Sequence, residues 1–230
     1  MNEGILKPQR GKQEQFLSSW ADMVFYGGAA GAGKTYGLIL EPLRWINCKN
    51  FKCITFRKEL VEIKSPGGLW DAALEVYPYL PDKSVDVKNK MIKTKINYQD
   101  LSFSFPEFGS KISFSYSARD EELYKWQGSQ MTLIQFDELT HFSKRQFFFF
   151  LSRNRNPSCK VQPYIRATTN PDPDSWVRKF VDWWIDKKGY AIEERSGVVR
   201  WFTHINDQIY WFDSKEEAKK RFPDVRLHFA

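Results

Sequence analysis

Three cysteines in 230 residues, Cys48, Cys53 and Cys159, with no CxxC pair among them, are too scattered to frame a disulfide scaffold. The three histidines, His141, His204 and His228, are equally dispersed, so no zinc site is suggested. No apolar stretch approaches the roughly 20 residues that span a bilayer. The start, "MNEGILKPQRGKQ", has no apolar core of the kind a secretory signal carries. A cytosolic protein with no membrane partner is the expectation. Internal repeats, low-complexity tracts and a clear interdomain linker are also missing. What is present suits a globular chain: 42% hydrophobic residues can bury a full core, and nine Trp within a 17% aromatic share imply a ring-rich interior. The net charge of +7 fits a polyanionic partner without requiring one, because the surplus is spread over 27% charged residues.

Along the chain, "MVFYGG" reads as a short buried strand running into a glycine-rich turn. "KTYGLILEPLRWI" follows with helical spacing and Pro42 as a kink or early stop. "KCITFR" is a second buried strand, followed by helical stretches on either side of "SPGG". Between Ser84 and Tyr116 the apolar residues alternate with period two, which predicts hairpins inserted between α/β units. "MTLIQFDELTHF" and "PYIRATTNP" are further strands, and "SKRQFFFFLSRNR" is a helix capped by Ser143. "DSWVRKFVDWWID" is an amphipathic helix, and "GVVRWFTHINDQIYWF" a late hairpin turning near "NDQ". The alternation predicts an α/β fold with a mostly parallel central sheet, helices on both faces and an inserted hairpin region.

Three strand ends carry the chemistry. Gly28, Gly33, Lys34 and Thr35 fit G-x-x-x-x-G-K-[ST], with Ala29, Ala30, Gly31 and Ala32 between the outer glycines. Such a loop turns consecutive N–H groups toward a nucleotide's phosphates, Lys34 would reach the β- and γ-phosphates, and Thr35 would ligate Mg²⁺. A chance match arises on the order of once in a hundred chains of this length, and its place between strand and helix is the context the motif needs. In "TLIQFDE", an apolar strand ends in Asp137, suited to hold Mg²⁺, and Glu138, suited to orient the attacking water. The plainer alternative is a surface acidic pair, which the upstream loop makes less economical. Thr168, Thr169 and Asn170 in "ATTNP" could bond that water or the γ-phosphate and report its departure; an Asx or Ser/Thr turn before Pro171 is the competing account.

These motifs, with "FRKE", "GGLWD", "YKWQGS" and "ATTNPDPDSWV", resemble the large terminase subunit of tailed double-stranded DNA bacteriophages, over nearly the whole chain from about Gln13. The resemblance implies an ASCE-type P-loop ATPase that uses ATP and Mg²⁺ to drive viral DNA into a procapsid. Double-stranded DNA, the portal, the small terminase subunit and a homo-oligomeric, pentameric ring are its implied partners, in the host cytoplasm. It also implies that Gln13 contacts adenine, with Gln9 a weaker candidate, and that "TTN" couples hydrolysis to motion. A basic residue from a neighbouring subunit would complete the site; Arg119 and Lys125 lie in the relevant region, with Arg153 and Arg155 as alternatives. The chain departs from many members in having no arginine inside the phosphate loop. The expected organisation is an ATPase core over 1–190 and a late hairpin with a lid or linker segment over 191–230. The acids of a nuclease centre are not expected in this chain. Lys83, Lys88, Lys90, Lys93 and Lys95 on the hairpin region could meet DNA phosphates or simply be solvated. A helicase-like ATPase and an ATP-dependent assembly module with little turnover are the rival functions.

Overall fold

The computed structural model describes residues 6–28, 31, 33–81, 91–170 and 172–230. Their elements are α1 (Lys12–Ser18), β1 (Met23–Gly27), α2 (Lys34–Leu40), β2 (Lys52–Arg57), α3 (Leu60–Lys64), α4 (Leu69–Val76), β3 (Lys95–Asn97), β4 (Ser102–Phe105) and β5 (Ser110–Tyr116). There follow β6 (Leu133–Phe136), α5 (Lys144–Arg153), β7 (Tyr164–Thr169), α6 (Trp176–Phe180), β8 (Trp201–Ile205), β9 (Gln208–Phe212), α7 (Lys215–Arg221) and β10 (His228–Phe229).

Seven strands form one sheet in the order β1-β7-β6-β2-β5-β4-β3. The first five run parallel, and β4 and β3 add antiparallel at one edge. The central strands are buried on both faces because helices cover both. On one face Phe51, Trp70, Tyr77, Phe103 and Phe105 pack with α4. On the other, Phe56, Phe136, Phe147, Phe150 and Phe180 pack with α5 and α6. The parallel core is as expected, and the period-two segment from β3 to β5 joins the same sheet, β5 lying directly against β2.

Local chemistry sets the element ends. Pro42 lies in the 3-10 turn Glu41–Arg44 that succeeds α2 after Leu40. Ser143 caps α5, its hydroxyl accepting from Gln146 N while the Gln146 side chain accepts from Ser143 N. Asn206 and Asp207, both with positive φ, make the tight turn between β8 and β9. With β10 these strands form a second sheet ordered β10-β8-β9. Its turn is pinned to the core by Lys144, which pairs with Asp207 at 2.9 Å.

Two elements differ from expectation. α1 forms in a polar stretch with no helical stripe, burying only Gln13 and Phe16. The single helix expected over 174–186 stops at Phe180, and a separate 3-10 turn spans Asp182–Trp184. There the Trp184 indole donates to Val198 O at 2.8 Å, drawing the chain toward the second sheet. Lys83, Lys88 and Lys90 lie outside the described residues, while Lys93 and Lys95 are exposed.

Candidate active site

Parallel register brings the chemical strand ends together at one edge of the sheet. Gly27 pairs with Thr169, Phe136 with Ala167 and Phe56 with Phe136, so β1, β7, β6 and β2 finish side by side. Carboxyl ends of parallel strands are where α/β sheets place ligands. Asp137 N donates to Phe56 O at 2.9 Å, fixing the acid immediately beyond β6. Gln135, wholly buried within β6, donates to Leu38 O at 3.0 Å and accepts from Thr55 Oγ1 at 2.7 Å. One polar side chain thereby locks α2 and β2 to the strand that carries the acids.

Ala29, Ala30 and Ala32 of the phosphate loop lie outside the described residues. Gly33 enters α2 with φ 69° and ψ 16°, a left-handed conformation. A side chain there would also collide with Gln13, whose Nε2 would lie 2.9 Å from an added Cβ. Gln13 is buried, donates from Nε2 to Gly33 O at 2.8 Å and accepts at Oε1 from Gln9 N at 2.6 Å. Its amide thus ties α1 to the end of the loop at Gly33, while Phe16 of the same helix stacks on Tyr26 of β1. Lys34 donates from Nζ to Gly28 O at 2.6 Å. Burial pushes its ammonium below the usual lysine range, against the pull of Asp137 and Glu138.

Asp137 is 4% exposed, and Glu138 follows in a left-handed conformation, φ 57° and ψ 62°. From that strained backbone the second carboxylate reaches the same cation as the first, Arg57 Nη1. Thr168, fully buried on the neighbouring strand, donates from Oγ1 to Asp137 Oδ1 at 2.6 Å and accepts from Glu138 N at 3.0 Å. Asn170 donates from Nδ2 to Glu138 Oε1 at 3.2 Å, while its own buried Oδ1 has no hydrogen-bond partner among the described residues. Thr169 points elsewhere, its hydroxyl donating to Asn170 O at 3.1 Å.

The residue that sequence reasoning passed over is Arg57, the last of β2. Its Nη1 lies 3.2 Å from Asp137 Oδ2 and 3.0 Å from Glu138 Oε2. Among the described residues neither Nη1 nor Nε finds a well-directed hydrogen bond, so charge holds it between the acids. His141 Nδ1 lies 3.4 Å from the same Glu138 oxygen. The sequence shows only a cation closing a buried strand; the parallel pairing of β2 with β6 is what sets it beside the acids.

Burial raises the Asp137 carboxyl, although Arg57, the Thr168 hydroxyl and Lys34 pull it down. Asp137 and Thr35 offer only oxygen, the donor type of a hard divalent cation, so the residues fit Mg²⁺. Arg119 and Lys125 flank and occupy the 3-10 turn Asp120–Trp126, both exposed, and among the described residues neither pairs with Asp137 or Glu138. Lys125 is paired with Glu122 at 3.0 Å. Arg155 is exposed, and Arg153 lies over the Phe149 ring at 5.3 Å.

The profile of the family described as terminase large subunit, T4likevirus-type, N-terminal, matches residues 25–226. No curated protein matches the sequence. Among solved structures, the large terminase of a thermophilic bacteriophage superposes with a TM-score of 0.59 at 14% identity, covering 77% of this chain and 44% of that one. The same protein in complex with ATP-gamma-S gives a TM-score of 0.57 at 14% identity, over 80% and 43%. The HK97 bacteriophage large terminase gives 0.53 at 14% identity, over 77% and 37%. These likenesses establish the fold, and the chain spans less than half the length of those terminases.

Proposed function

The chain belongs to the terminase large subunit family of the T4likevirus type, and from that premise we propose that it hydrolyses ATP to move double-stranded viral DNA into a procapsid. The observation that carries this is the convergence of Lys34, Asp137, Glu138 and the Thr168 and Asn170 side chains at one sheet edge. The complex of the thermophilic phage's terminase with ATP-gamma-S supports ATP as the nucleotide for the same fold.

Lys34, already desolvated, exchanges its bond to Gly28 O for the phosphates and spreads their charge. Thr35 and Asp137 would hold Mg²⁺, which supplies neutralisation of the β- and γ-phosphate oxygens. Glu138 orients the attacking water and receives its proton, once its carboxylate is freed from Arg57. Departure of the γ-phosphate changes what Asn170 bonds, at the end of β7, from which the chain runs on to α6. A basic residue of a neighbouring copy, Arg119 or Lys125, completes the charge on the transferred group. The working assembly is a ring on the portal, fed by the small subunit, in the host cytoplasm.

The test is phosphate release from ATP by the purified chain. Magnesium-dependent turnover whose specific rate rises with protein concentration, and which Lys34→Ala removes, is expected. Turnover insensitive to both chelation and Lys34→Ala would exclude this site as its source.

A further inference from the structure

Away from the acids, α6, the loop after it and β9 enclose a cavity of about 610 Å³. Four cations line it, Arg178, Lys179, Lys187 and Arg195, against the two acids Asp182 and Asp186. Both acids are already engaged. Asp182 pairs with Arg178, and Asp186 Oδ1 accepts from Lys188 N at 2.8 Å and Tyr190 N at 2.9 Å. Among the described residues Lys179 and Lys187 have no ionic partner.

The arginines here are pre-set. Arg195 lies over the Trp183 ring at 4.8 Å and donates to Trp183 O at 2.8 Å; Arg200 lies over the same ring, also at 4.8 Å. Trp211 is packed against Phe180, Trp184 and Phe202. With Arg195 and Arg200 both over it, the Trp183 indole immobilises guanidinium groups, which reduces the entropy lost when an anion is bound. A roomy, net-positive hollow with fixed guanidinium and free ammonium groups suits a chain of phosphates.

We propose that this cavity is a backbone-phosphate seat for duplex DNA, resting on the function proposed above. Its position ties it to the chemistry. Its wall α6 follows Asn170 closely, and the Trp176 indole on that helix donates to Phe142 O at 2.7 Å, just beyond Glu138. A phosphate seated on Lys179 would load the helix whose upstream neighbour holds the hydrolytic carboxylate.

The test uses the whole chain, a labelled 30-base-pair duplex and a poly-glutamate peptide. The variant is Lys179→Glu with Lys187→Glu, both exposed lysines. Lys219→Glu with Lys220→Glu on α7 makes the same charge change elsewhere. Loss of two phosphate contacts should weaken duplex binding at least about tenfold near 0.1 M salt and make the log–log salt slope shallower by about 1.8. Hydrolysis without DNA should be unchanged, and the α7 variant should keep the parent's affinity. Equal loss in both variants, undiminished binding in the cavity variant, no duplex binding by the parent, or loss confined to poly-glutamate would each overturn the assignment. Cavity-dependent duplex binding by a chain that does not hydrolyse ATP would sink the function above and leave the seat standing. Hydrolysis with cavity-independent binding would do the reverse.

Discussion

Thr168→Val isolates the bond network that joins the acidic strand to its neighbour. Valine has nearly the same shape, so the buried packing is retained while the hydroxyl is lost. Two interactions disappear: the bond to Asp137 Oδ1 at 2.6 Å and acceptance from Glu138 N at 3.0 Å. A hydrogen bond to a charged group contributes about 1.5–3 kcal/mol, and a buried N–H left unpaired costs about 1–3 kcal/mol. The site is fully closed at Thr168, so water cannot readily substitute. The expected loss is about 3–4 kcal/mol, read as a lowered urea midpoint at unchanged m-value. Thr168→Ser, which restores the oxygen, should recover most of it. A loss below about 1 kcal/mol in Thr168→Val would refute the claim that this hydroxyl organises the acids.

Arg57→Ala removes the cation between two acids, one of them buried, and should destabilise the nucleotide-free chain by about 2–4 kcal/mol. Saturating magnesium nucleotide should narrow that deficit in a thermal-shift assay, since bound cation replaces the lost charge; an unchanged deficit would argue against the arrangement. Gly33→Ala should weaken nucleotide binding and melt earlier, because φ 69° and the Gln13 amide both oppose a methyl group. Acid stability should show two opposed groups. Burial raises Asp22 to about 6, so its contribution is present below pH ~4 and lost as pH rises through 6. Burial lowers His228 to about 4, so its contribution is present above pH ~6.5 and lost as pH falls toward 4. Asp22→Asn should raise stability at pH 7 by about 1–2 kcal/mol, after allowance for its partial exposure, and leave a steeper acid loss that His228→Phe removes. A flat response to both substitutions between pH 4 and 7 would contradict these environments.

The phosphate loop and the acidic strand were legible because each is contiguous: Gly28 to Thr35 and Thr132 to Glu138 carry their chemistry and their strand context in one stretch. β2 likewise announces itself as a short β-branched and aromatic run, "CITF", between Lys52 and Arg57. What needed coordinates was pairing. Period two identifies β4 and β5 as strands without saying that β5 lies against β2. Arg57 reads as an ordinary strand-end cation until parallel register puts it beside Asp137. α1 buries just two side chains, Phe16 against Tyr26 and Gln13 against Gly33 O, too few to make a stripe, and beyond α6 the chain is held by a Trp184 bond to Val198 O that no periodicity encodes.

Glu138→Ala tests the central claim most directly. It removes the carboxylate while leaving Lys34, Thr35 and Asp137 in place. Nucleotide affinity should stay within a few-fold of the parent, and ATP turnover at saturating magnesium should fall by about 100-fold or more. Turnover at the parental rate in that variant would show that Glu138 does not orient the attacking water.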